Sequence, residues 1–97
     1  MAFVKVMGDI PTIENILANP EGISISSEPS VQYALAGQIG EYLNATNANQ
    51  LMKYLSRMGV DFQVMALRSA IAKSPEIKSH PAIRQWITQH AREMSTN

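Results

Sequence analysis

Cysteine is absent from this chain of 97 residues. Its absence excludes disulfides, thiolate metal sites and cysteine nucleophiles. Aromatic residues are scarce, at 6% against a hydrophobic fraction of 45%, so the core must be aliphatic and rich in the six methionines. Straight-chain residues lose little rotamer freedom in a helix, and such a core suits helices better than sheets. Neither sign of charge is in excess, since eight Lys and Arg balance eight Asp and Glu. Nucleic-acid binders usually carry a basic surplus that neutralises phosphates, so DNA or RNA is not the expected partner. No apolar run approaches the roughly 18 residues of a membrane span. Residues 1–7 (MAFVKVM) are too short and too interrupted for a signal peptide. A cytoplasmic location is expected, with no membrane partner and no evident small-molecule substrate. The length implies one domain with a modest core.

What is present reads as a compact all-α bundle of four to five short helices. Residues 1–9 form a segment of uncertain structure, 10–94 a single helical domain, and 95–97 a frayed tail. Pro11 and Thr12 open a first short helix carrying Ile13, Ile16 and Leu17, which stops at Asn19-Pro20 because the residue before proline avoids the helical region. Residues 21–27 connect, with Ile23 and Ile25 pinning the loop to the core. Ser26 or Ser27 can accept from a free backbone amide at the next helix start. Val31, Leu35, Ile39 and Leu43 then recur every fourth residue, widened by Ala34 and Tyr42, to about Asn44. Gly37 and Gly40 lie inside this helix, where each costs about 1 kcal/mol of propensity against Ala, and close packing by a neighbour is the expected compensation.

Thr46 is the expected cap of the third helix, whose inner face is Leu51, Met52, Leu55 and Met58. Gly59 closes it as a left-handed residue would, and Asp61 caps the fourth. Apolar residues nearly surround that fourth helix, so it is expected to be the central buried one. Ser74-Pro75 ends it and starts a single turn through Ile77. Ser79-His80-Pro81 opens a last helix carrying Ile83, Trp86, Ile87, His90 and Met94.

Catalytic, cofactor-binding and metal-binding residues are not found. Gly37-Gln38-Ile39-Gly40 matches a nucleic-acid clamp loop only in its letters, since it sits mid-helix without flanking Lys or Arg. His80 and His90 have no acid at metal-ligand spacing. The serines cluster at expected caps and the carboxylates are dispersed, which capping and solvation explain. A helix-turn-helix around Gly59 would offer only Arg68 and Lys73 to phosphate. For partner contact, the polar faces with large residues are Lys53 with Tyr54 and Arg57, and Arg84 with Trp86.

Several runs occur in a familiar order. Ile10-Pro11-Thr12-Ile13-Glu14-Asn15-Ile16-Leu17-Ala18-Asn19-Pro20 precedes Ser30-Val31-Gln32-Tyr33-Ala34-Leu35-Ala36-Gly37. Met52-Lys53-Tyr54-Leu55, Asp61-Phe62-Gln63-Val64, Leu67-Arg68-Ser69-Ala70 and His80-Pro81-Ala82-Ile83-Arg84-Gln85-Trp86-Ile87 follow. This order resembles the C-terminal helical region of MoxR-like AAA+ ATPases of bacteria and their phages. Ser69 departs from the family's "LRDA" element, and Met58-Gly59-Val60-Asp61 from its "LP.EF" element. The nucleotide chemistry of that family lies in an upstream core that nothing here matches, so no catalytic residue carries over. The resemblance implies a non-catalytic accessory domain that packs on an ATPase core, assists ring assembly or contacts a client protein. The alternatives are an independent helical protein-binding module or adaptor and, weakest, a helix-turn-helix DNA-binding domain.

Overall fold

The computed structural model describes residues 11–95. Among them are six α-helices, one 3-10 turn and no strand: α1 (Ile13–Ala18), α2 (Pro29–Tyr42), α3 (Ala48–Leu55), α4 (Val60–Lys73), the 3-10 turn (Pro75–Ser79), α5 (Pro81–Gln89) and α6 (Ala91–Ser95). The all-α bundle of short helices is therefore the fold found. None of these helices is long and apolar enough to cross a membrane. The segment 1–9 lies outside the described residues, and of the tail only Ser95 is described, as the last residue of α6.

Local chemistry sets most boundaries. Thr12 caps α1, its hydroxyl accepting from the Asn15 amide at 3.1 Å. The Ser26 hydroxyl accepts from the Glu28 amide at 3.0 Å, just ahead of Pro29 in the first turn of α2. His80 caps α5 through Nδ1, which accepts from the Ala82 amide at 3.1 Å. The last helix divides at His90. There the backbone amide and the ring Nδ1 both reach the Trp86 carbonyl, at 2.9 and 3.0 Å. A carbonyl only accepts, so Nδ1 carries a proton in this contact. The imidazole stacks on the Trp86 indole, centroids 4.3 Å apart.

Four expectations are corrected. Gly59 is not a left-handed cap: its φ of −61° and ψ of 148° are extended, and it is the residue before α4. Asp61 is therefore inside the first turn of α4 rather than its cap. Thr46 lies in a turn built by Asn44 and Asn47, in which Asn44 Oδ1 accepts from the Thr46 and Asn47 amides at 2.9 and 3.1 Å. Finally, α4 is not enclosed: Gln63, Ala66, Leu67 and Ala70 are buried, while Arg68, Ser69, Ala72 and Lys73 are exposed. A chain this short has too little mass to wrap a helix on all sides. The most enclosed helix is α3, with Ala48, Leu51, Met52, Tyr54 and Leu55 buried.

The most extensive helix pair is α2 with α4. Gly40 permits it: a Cβ there would lie 2.9 Å from Ser69 Cβ and 3.1 Å from the Ala66 carbonyl oxygen. The opposite side of the core is tied by Tyr54. Its ring is buried and its hydroxyl donates to the Ser24 carbonyl at 3.2 Å, holding the loop in which Ile23 and Ile25 pack on the core. Replacing Tyr54 with Phe is expected to cost about 1 kcal/mol, the net value of one such bond, as measured by urea denaturation.

Burial also pushes the Tyr54 phenol above its ordinary value of 10.0, with the Arg57 charge opposing. The folded form holds its proton longer than the unfolded form. This stability is complete below pH 10 and is lost as pH rises from there through the folded value. Wild type should therefore lose stability above pH 10 more steeply than Tyr54→Phe, and parallel alkaline denaturation curves would contradict this.

Candidate docking surface

Helix α2 buries Leu35, Ala36, Ile39 and Gly40 on one side. Its opposite side carries Ser30, Tyr33, Gly37, Gln38, Glu41 and Tyr42, all exposed. Tyr33 and Tyr42 are 63% and 58% exposed, and the third large exposed hydrophobic among the described residues is Val60 at 40%. At about 100° per residue the two tyrosines project about 180° apart. They flank a low floor made by Ser30, Ala34 and Gly37. Among the described residues, a Cβ added at Gly37 would meet nothing within 4 Å. Tyr42 and Gln38 also wall a hollow of about 590 Å³ with Pro11, Ile13 and Glu14.

Charge on this face is already engaged. The Glu41 carboxylate pairs with Lys73 Nζ at 3.2 Å, and the same ammonium donates to the Glu41 carbonyl. The helix itself is firmly seated. Gln32 Nε2 donates to the Ser26 carbonyl at 2.8 Å, and Gln32 Oε1 accepts from the Gly59 amide at 3.1 Å. One side chain thus joins the start of α2 to the loop before it and to the start of α4. The result is a fixed, charge-poor side of the helix with one exposed tyrosine at each margin, suited to apolar and aromatic contact.

The residues singled out from the sequence fall elsewhere. Lys53 is exposed and lies 3.9 Å from Glu21. The Arg57 guanidinium sits 5.7 Å over the Tyr54 ring and donates to the Pro20 carbonyl at 2.9 Å. Together with Tyr54 they strap residues 20–24 onto α3. Arg84 is exposed on α5, beside a hollow with Pro81, Gln85 and Thr88. Trp86 is only 5% exposed, and its Nε1 donates to Gln63 Oε1 at 2.7 Å. Tyr54 and Trp86 are therefore core residues, and a partner could reach them only if the core opened. The structure groups Lys53, Tyr54 and Arg57, but separates Arg84 from Trp86 across α5.

The sequence pattern offers Tyr33 and Tyr42, with Tyr54 and Trp86, as core or core-edge aromatics of which one can anchor a partner, and it gives Gly37 no role in contact. The signal for Tyr33 was available, because it lies outside the Val31, Leu35, Ile39 stripe. Tyr42 was assigned to that stripe, but the buried side turns toward Ala36 and Gly40 instead.

Among the described residues, no group of three or more His, Cys, Asp or Glu could hold a metal ion. Several serine hydroxyls are bonded to backbone, as at Ser26, Ser56 and Ser79. Comparison with known proteins finds no family model, no curated protein and no solved structure that matches this chain significantly.

Proposed function

We propose that this chain is a protein-docking helical module that acts through the outer face of α2. The observation that carries the proposal is the exposed side of α2: two exposed tyrosines on either side of a glycine whose Cβ position meets nothing within 4 Å among the described residues. Exposed aromatics with a polar tip are favoured at interfaces, where they bury large area at low entropic cost. The double variant Tyr33→Ala, Tyr42→Ala is expected to shift unfolding free energy by no more than about 0.5 kcal/mol, as surface positions do. Its binding to the wild-type partner should fall at least tenfold. Unchanged capture of the same protein by the double variant and by wild type would overturn the proposal.

A second reading names the partner. Tyr33 and Gly37 of this face belong to Tyr33-Ala34-Leu35-Ala36-Gly37, one of the runs that resemble MoxR-like AAA+ ATPases. In that reading the module is an accessory domain and α2 docks on an ATPase core or its client. It supplies no nucleotide chemistry, so the isolated chain should not bind ATP. Micromolar ATP binding measured by calorimetry would contradict it, and a reading frame continuing upstream into Walker A and Walker B sequences would support it.

A further inference from the structure

We draw no further inference here: the strongest candidate, the groove of about 370 Å³ between residues 23–26 and the start of α2, lined by Pro11, Ile23, Ile25, Val31 and Leu35, carries nothing because nothing in the structure shows what covers it.

Discussion

Replacing Gln63 with leucine is expected to remove about 2–4 kcal/mol of stability, because two buried polar groups lose their partners at once. Gln63 is only 5% exposed and is the one polar side chain in the core among the described residues. Its Oε1 accepts from Trp86 Nε1 at 2.7 Å, and its Nε2 donates to the Met58 carbonyl at 2.7 Å. This amide joins α4 to α5 and to the turn that follows α3. Leucine fits the volume but offers neither a donor nor an acceptor. Each orphaned group then costs about 1–3 kcal/mol of desolvation. Such a loss is a large share of the roughly 5–15 kcal/mol that holds a domain folded. Urea denaturation followed by far-ultraviolet circular dichroism of the helices gives the value directly, and serves equally for variants that lack the single Trp. Adding Trp86→Phe to Gln63→Leu removes one orphan, so the double variant should lose less than the sum of the two single losses. Strict additivity, or a loss below about 0.5 kcal/mol for Gln63→Leu, would contradict a shared buried bond.

The two glycines of α2 are expected to respond to alanine with opposite signs. Gly37→Ala gains helix propensity at no steric cost, and should stabilise by about 0.5–1 kcal/mol. Gly40→Ala gains the same propensity but drives a methyl against Ser69 Cβ, 2.9 Å away, and the Ala66 carbonyl, 3.1 Å away. Neither is the far end of a flexible side chain, so α2 and α4 must separate. Overpacking of this kind costs about 1–3 kcal/mol. The net expectation is destabilisation by about 1–2 kcal/mol after the propensity gain. Thermal melts of the two variants should move to opposite sides of wild type. Equal shifts would mean that the α2–α4 crossing does not depend on Gly40. Beyond stability, Gly37→Ala separates two roles: if a partner's backbone approaches there, this more stable variant binds less well.

Much of the fold was legible in the sequence because its signals are local. Proline and cap residues place the starts of α1, α2 and α5, and the stripe Leu51, Met52, Leu55, Met58 is buried as its spacing implies. The turn at Gly59 was misread because a glycine after a helix suits a left-handed cap and an N-cap position equally well. In the extended conformation found, the Gly59 amide donates to the Gln32 side chain, 27 residues away, a partner no local pattern reveals. The polar core bond was equally hidden. Gln63 sits in a helix where apolar residues crowd both sides, and only the arrival of Trp86 from α5 gives it a buried partner. The exposed side of α2 is hidden in the sequence for a similar reason. Tyr42 fits a four-residue stripe with Ile39 and Leu35, but the crossing with α4 selects Ala36 and Gly40 for burial, which turns Tyr42 outward. Small residues at a close helix crossing outweigh a large one at its edge.

The most direct test of docking through α2 is site-specific photo-crosslinking in the cells that express the protein. A benzophenone side chain is placed at Gln38, exposed on α2, in one variant and at Gln85, exposed on α5, in another. Docking through α2 predicts one discrete adduct of defined mass from Gln38, reduced at least tenfold by Tyr33→Ala with Tyr42→Ala, and none from Gln85. Equal adducts from both positions, or none from Gln38, would contradict it.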